Sequence, residues 1–243
     1  MKSAPLFLIL FVNLLYGCNS HERVYTKKNL YDLKTVRQIC EGMKDEQDLR
    51  YFKAHVVSRA SSAGCLDIVR YIIETGDVDL NRPYVSGGHT PLHYAIEHDH
   101  MEIFKLLLEN GADANRETTL FSTPLIWAVR SGDLRKVELL LEYGADVNKV
   151  SNDITALHVA TAIGTPSIIR FLLSKGADVN IDSSCGCRPI HISAWCDRLE
   201  AAKILLENGA DQTVKCDGHT VGEIARSDEF RKLLQNYDQT QKH

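Results

Sequence analysis

The sequence has no cluster of basic residues and no excess of positive charge. Its 28 lysines and arginines are outnumbered by 32 aspartates and glutamates, so the formal net charge at pH 7 is −4. Binding to nucleic acid and to an acidic lipid surface both depend on concentrated positive charge. The composition therefore argues against a nucleic-acid partner and against electrostatic attachment to a membrane.

Motifs of enzyme active sites are also missing. The chain contains no Gly-x-Ser-x-Gly, no His-Glu-x-x-His and no glycine loop of the kind that cradles phosphate. Its glycines lie in turns and at predicted helix ends. We therefore predict a protein that is not an enzyme and that uses neither a cofactor nor a metal ion.

No apolar run is long enough to cross a membrane as a helix, which takes about 20 residues. The run near the start of the chain extends only from Leu6 to Leu15, is interrupted by Asn13 and follows the positive charge of Lys2. A short apolar run after one basic residue is typical of an export signal. We predict a signal peptide over residues 1–17.

The residues Leu15-Tyr16-Gly17-Cys18 resemble the lipobox of bacterial lipoproteins. The resemblance implies cleavage before Cys18 and a lipid on its sulfur, and Asn19 favours sorting to the outer membrane. Acyl chains contribute about 0.8 kcal/mol per buried CH₂, so several of them form a lasting anchor. The expectation is a periplasmic protein on a short tether, residues 18–28, with the lipid as its only membrane contact. Plain secretion is the alternative.

An internal repeat occupies most of the remaining chain. "TPLHYAIEHDHMEIFKLLLENGADAN" and "TPLIWAVRSGDLRKVELLLEYGADVN" are two of four copies of one unit, and their glycines Gly111, Gly144, Gly176 and Gly209 are spaced by 33, 32 and 33 residues. A less regular copy precedes these four, with Ala60 aligned to Ala95, and a shortened copy begins at Gly218. Fixed periodicity of this kind indicates a stack of similar units.

The 33-residue period and the Thr-Pro-Leu-His-x-Ala pattern resemble the ankyrin repeat. The resemblance implies an all-α solenoid of about five helix-turn-helix units joined by β-turn fingers. Thr and Pro suit the start of a first helix, and the Gly of Gly-Ala-Asp suits the end of a second. We expect repeats over residues 54–217, a helical N-terminal cap over 29–53, a C-terminal capping repeat over 218–236 and a frayed tail over 237–243.

Histidines recur in one position of the repeat, at His93, His158 and His191. Regular spacing raises the question of a metal site. We interpret these histidines as structural instead, because Ile126 occupies the same position in one copy and an imidazole there is expected to bond the neighbouring turn.

Besides Cys18, six cysteines are candidates for disulfides, as expected of an exported protein: Cys40, Cys65, Cys185, Cys187, Cys196 and Cys216. The repeat alignment places Cys216 in the finger next to the one that carries Cys185 and Cys187. The preferred pairs are Cys216 with either of those two, and Cys40 with Cys65. A zinc site formed by the last four cysteines is the alternative, although a C-x-C spacing is unusual for it.

A protein partner is expected in the concave groove that ankyrin folds present. Trp195 and Ile163 stand out as apolar residues at exposed, variable positions, and an exposed apolar pair is typical of a binding hot spot. Trp127 is assigned to the core. The complete set of predicted contact residues is Trp195, Ile163, Arg130, Glu97, His98, Tyr84 and Phe121.

The function that these features suggest is inhibition by occlusion. The chain resembles exported repeat proteins that serve bacteria as immunity partners of toxins acting in the periplasm, for example phospholipases or cell-wall hydrolases. An envelope scaffold, or a redox-linked stress protein that uses its cysteines, is the alternative. Delivery into a host cell as an effector is a third hypothesis.

Overall fold

The computed structural model of the chain describes residues 32–83, 88–118, 122–183 and 186–240. Within these ranges the secondary structure is helical apart from isolated β-bridges in two fingers, Ser151 with Ile154 and Cys216 with His219. The helices are α1 (Leu33–Gly42), α2 (Glu46–Ala63), α3 (Leu66–Glu74), α4 (Pro91–Glu97), α5 (Met101–Glu109), α6 (Pro124–Ser131), α7 (Leu134–Glu142), α8 (Ala156–Ile163), α9 (Pro166–Ser174), α10 (Pro189–Trp195), α11 (Leu199–Glu207), α12 (Val221–Ile224) and α13 (Asp228–Thr240).

The helices stack in two layers, as the predicted solenoid requires. The inner layer runs in the order α2, α4, α6, α8, α10 and α12, and each of these helices packs on the next. The outer layer runs from α1 through α3, α5, α7, α9 and α11 to α13 in the same way. One continuous apolar core lies between the layers, with Phe104, Leu140 and Ile168 fully buried in it. The all-α ankyrin architecture is therefore confirmed.

Inner helix α6 begins where the sequence predicts a helix start. The Thr123 hydroxyl accepts a hydrogen bond from the Ile126 amide at 3.2 Å, and Pro124 occupies the first helical position. Helix α6 then ends at Gly132, whose φ of 72° is left-handed and disfavours a residue with a Cβ. These caps keep the helices short, so that every repeat returns the chain to the same side of the stack.

The repeated histidines close the same turn, as interpreted from the sequence. The Nδ1 atom of His158 accepts from the Thr155 amide at 3.3 Å, so its proton sits on Nε2, which donates to the Cys187 carbonyl at 3.0 Å. His191 bonds Arg188 and Val214 in the same way. Burial lowers the pKa of His93 to about 4, with a smaller contribution from His89. His158 and His191 thus each join their own repeat to the next one.

Asparagines join one finger to the next. The Asn148 side chain accepts from the Asp178 amide at 2.8 Å and donates to the Gly176 carbonyl at 3.0 Å. Asn81, Asn115 and Asn180 make the equivalent pair of bonds to their following repeats. The ladder stops at Thr213, which bonds only Asp211 of its own finger.

The predicted boundaries of the caps need correction at both ends. Helix α2 runs without a break across the predicted boundary between residues 53 and 54, and buried Lys53 donates to the Gly76 carbonyl at 2.8 Å at the end of α3. Helix α13 continues to Thr240, beyond the predicted start of the tail at 237. The Tyr237 hydroxyl donates to the Leu206 carbonyl at 2.5 Å, which fixes this last helix to α11.

A disulfide joins Cys187 to Cys216, one of the two alternatives for Cys216, and its Cα atoms lie 4.6 Å apart. The zinc alternative is therefore wrong, because two of its four sulfurs are bonded to each other. Cys196 is an exposed thiol, and Cys185 lies outside the described residues.

The predicted pairing of Cys40 with Cys65 is not formed, and both side chains are thiols. Cys40 lies beside Tyr71, whose pKa is raised by burial and then by this neighbour. Cys65 is the N-cap of α3.

No helix in the described ranges is both long enough and apolar enough to span a bilayer. The predicted signal peptide, Cys18 and the tether lie outside the described residues.

Candidate partner-binding groove

The groove is the surface between the fingers and the sides of the inner helices that the core leaves uncovered. In each full repeat from α4 onward, a buried pair of residues near the end of the inner helix, such as Ala95 and Ile96, is followed by two residues at the helix end. Glu97, His98 and Arg130 occupy these positions and are exposed, with Glu97 Oε2 lying 4.0 Å from His98 Nε2. The structure thus places these predicted contact residues at the ends of α4 and α6.

Ile163 and Trp195 form the apolar part of this surface. Ile163 is the last residue of α8 and is 39% exposed, and Trp195 is the last residue of α10 and is 45% exposed. Because α8 and α10 pack directly on each other, the two side chains lie at the same end of neighbouring helices. Paired helices are about 8–10 Å apart, which is close enough for one apolar side chain of a partner to contact both.

Arginines lie on either side of this apolar pair. Arg130 precedes it near the end of α6, and Arg226 follows it just after α12; both are exposed, and neither forms an ion pair within the described ranges. We call Arg130, Ile163, Trp195 and Arg226 the terminal row. The alignment of the shortened last repeat gave no reason to single out Arg226, because the pattern around the helix end is lost there.

Two aspartates at the ends of inner helices adopt backbone conformations that normally favour glycine. Asp99 has a φ of 59° and Asp197 a φ of 53°, in the position that Gly132 and Gly164 fill in other repeats. Asp99 Oδ1 lies 3.0 Å from the ammonium of Lys136, which is 3% exposed, and Asp197 accepts a bond of 2.6 Å from the Ser227 hydroxyl. Both carboxylates are therefore engaged by the following repeat.

Trp127 packs against the apolar core, to which the sequence analysis assigned it. It is only partly buried, and its ring meets that of His89 edge-on at 5.0 Å between centroids. The equivalent residues Tyr94, Val159 and Ile192 are likewise partly buried. The position directly after the histidine position is thus partly buried in every full repeat from α4 to α10.

Comparison with protein families identifies the architecture. A family model described as "Ankyrin repeats" matches three overlapping stretches, residues 26–118, 57–151 and 125–216. The chain belongs to the ankyrin-repeat family. Ankyrin repeats bind proteins, and this ankyrin chain is accordingly a protein-interaction module.

Curated relatives of this ankyrin chain include much longer proteins. It is 38% identical over 84 residues to human BCL-6 corepressor-like protein 1, covering 34% of this chain and 5% of that one. It is 40% identical over 75 residues to mouse protein phosphatase 1 regulatory subunit 12A, covering 30% and 7%. It is 34% identical over 157 residues to the putative ankyrin repeat protein FPV031 of fowlpox virus, covering 61% and 46%. The chain thus spans less than two thirds of each of these relatives.

Two of the predicted contact residues remain. Tyr84 and Phe121 lie outside the described residues. Their role in binding stays a prediction, whereas the terminal row is defined in full by the structure.

Proposed function

We propose that this ankyrin chain is an inhibitor in the bacterial envelope, held on the outer membrane by a lipid on Cys18. Its partner is a single protein toxin that acts in the periplasm, such as a phospholipase, and inhibition results from occlusion in the groove. Family membership supports the binding of a protein, and the pattern from Lys2 to Cys18 supports export and anchoring.

The observation that carries the groove assignment is the exposed pair of Ile163 and Trp195 at the ends of adjacent inner helices. Tryptophan is enriched among the residues that dominate binding energy, especially near the centre of an interface. A partner loop that covers both side chains removes two apolar surfaces from water at one point. This arrangement favours one specific partner over many weak ones.

The backbone around the pair suits inhibition by a preformed surface. Asn148 and Asn180 tie the fingers on either side of α8 and α10 to their neighbours, and the Cys187–Cys216 disulfide closes the next junction. A surface fixed before binding loses little conformational entropy in the complex. We therefore expect nanomolar affinity and an interface of more than about 1,000 Å².

Affinity capture from gently solubilised envelopes tests the groove. Wild type is compared with Trp195→Ala, and with Tyr143→Ala as a matched control, because Tyr143 is 40% exposed but lies at the end of outer helix α7. We expect one stoichiometric partner in wild type and in the control, and its loss in Trp195→Ala. Many weak partners that are unaffected by Trp195→Ala would overturn the inhibitor proposal in favour of a scaffold.

Two further measurements address the toxin and the anchor. Cells that lack the gene should be killed by sister cells that deliver the toxin, and full resistance would contradict an immunity role. Metabolic labelling with an alkyne fatty acid should mark wild type but not Cys18→Ser; label in both, or in neither, would contradict lipidation at Cys18.

A further inference from the structure

The charges that are left without partners in the terminal row are positive, although the chain as a whole is acidic. Arg130 and Arg226 form no ion pair within the described ranges, and Arg198 uses its Nε to bond the Ala162 carbonyl at 3.1 Å. Four carboxylates near the row are bonded, whereas Glu97, on the inner helix before α6, is exposed and lies 4.0 Å from His98 Nε2. Asp99 bonds Lys136, Asp133 bonds Arg135 and Asp228 bonds Arg231, while Asp197 accepts from Ser227.

We infer that the terminal row binds an extended, acidic segment of a protein partner, with a bulky apolar side chain near its middle. This inference rests on the proposed function of the groove and specifies the chemistry of what it holds. The apolar side chain contacts Ile163 and Trp195, and acidic side chains on either side of it meet Arg130 and Arg226. Arginine suits this role because its planar guanidinium binds a carboxylate with two parallel hydrogen bonds.

The spacing of the row sets the length of the segment. Its residues come from α6, α8, α10 and the end of α12, which are consecutive inner helices. Three steps of about 8–10 Å give roughly 24–30 Å between Arg130 and Arg226. An extended chain covers about 3.3 Å per residue, so eight or nine residues reach from one arginine to the other.

The sign of the charge on the bound segment depends on the charges near the row and not on the net charge of the chain. A net charge of −4 on the whole chain would favour a basic partner at long range. Charges farther apart than the screening length, about 8 Å at physiological salt, contribute little to a contact. A carboxylate of the partner that directly contacts Arg130 or Arg226 therefore interacts more strongly with that guanidinium than with acidic residues farther away than this length.

Fluorescence anisotropy with synthetic peptides tests the inference on the purified chain. The probe is a labelled nine-residue peptide with a phenylalanine between two blocks of four glutamates. One comparison peptide has glycine in place of phenylalanine, and another has lysines in place of the glutamates. The protein variants are Trp195→Ala and the double variant Arg130→Glu with Arg226→Glu. Arg70→Glu with Lys232→Glu, on outer helices α3 and α13, is the charge-matched control.

We expect the glutamate–phenylalanine peptide to bind, and its affinity to fall at least tenfold in the Arg130→Glu, Arg226→Glu variant but not in the control. Removing the phenylalanine and removing Trp195 should each weaken binding, and doing both should weaken it little further, because the two groups contact each other. Raising the salt concentration should weaken binding as well.

Several results would overturn the inference. If the lysine peptide bound as tightly as the glutamate–phenylalanine peptide, the predicted charge would be wrong. If the glycine peptide, or single-stranded DNA added as a further probe, bound as tightly, the row would be a general surface for polyanions. Failure of every peptide, with capture of a partner still dependent on Trp195, would overturn the acidic segment and leave the groove intact. Capture that does not depend on Trp195 would instead refute the proposed function itself.

Discussion

At the scale of single residues, a buried histidine side chain joins the backbones of two neighbouring repeats by hydrogen bonds. His158 accepts from the turn that starts its own helix and donates to the next repeat, so one side chain satisfies two buried groups. This arrangement works only while the ring is neutral, because protonation of Nδ1 removes the acceptor. Burial accordingly lowers the pKa of both His93 and His158.

The lowered pKa of His93 predicts a loss of stability in mild acid. Its pKa is about 4 in the folded chain and about 6.5 in the unfolded chain. Between these values only the unfolded state is protonated, so stability is full above pH 6.5 and falls as the pH drops towards 4. The contribution lost at pH 5 is about 2 kcal/mol.

The variant His93→Ile isolates this effect, because Ile126 fills the same position in another repeat. Urea unfolding at pH 7.5 and pH 5 should show a smaller loss of stability in His93→Ile than in wild type. Ionisable groups far from His93 contribute the same pH dependence to both proteins and cancel in the comparison. An identical pH dependence would mean that His93 is already protonated in the folded chain, against the burial argument.

At the scale of helices and fingers, the asparagine ladder explains why the Gly-Ala-Asp step is followed by Asn in most repeats. The glycine carbonyl lies at the end of an outer helix and has no hydrogen-bond donor in its own repeat. The asparagine of the preceding finger supplies the donor, and its oxygen accepts from the aspartate amide two residues later. Each finger is therefore positioned by the repeat that follows it.

Removal of one step of the ladder should weaken a single interface. Asn148→Ala takes away two hydrogen bonds between repeats, worth about 0.5–1.5 kcal/mol each, and leaves a carbonyl and an amide unpaired. We expect a loss of about 2 kcal/mol in urea unfolding. Asn110→Ala is the control, because Asn110 bonds only Leu106 of its own helix, at 2.8 Å. If Asn148→Ala lowered the free energy of unfolding no more than Asn110→Ala, water would replace the two hydrogen bonds of the ladder without a loss of stability.

The same scale shows what a sequence can predict and what it cannot. Helix starts at Thr123 and helix ends at Gly132 were predictable because caps are local chemistry. The continuous course of α2 was not, because the burial of Lys53 depends on a carbonyl of another helix.

In the groove, too, residues that follow the local repeat pattern were predictable, whereas those that depend on long-range contacts were not. The exposure of Ile163 and Trp195 followed from their place after the buried pair of the repeat. Arg226 was missed because the last inner helix, α12, is reduced to four residues and the repeat pattern ends there. The contact of Trp127 with His89 joins two repeats, and no local pattern in the sequence reveals it.

At the scale of the whole molecule, the described helices form a stack in which each repeat packs on its neighbours. Terminal units of such a stack have one interface instead of two and open first. The last pair, α12 and α13, also lacks the asparagine ladder, which ends at Thr213. The disulfide between Cys187 and Cys216 lies at this weakened junction, and both residues are buried.

Loss of the disulfide should therefore allow α12 and α13 to unfold more often, while the central repeats stay folded. The bridge spans 29 residues, and closing a loop of this length in the unfolded chain corresponds to about 3–4 kcal/mol. Hydrogen exchange of Cys216→Ser should become faster over residues 218–240 and remain unchanged over 88–118. Cys196→Ser, which removes an exposed thiol that forms no disulfide, is the control. Faster exchange in all measured segments would instead show that the stack unfolds as one cooperative unit. Arg226 would then leave its folded position only when the other residues of the terminal row do.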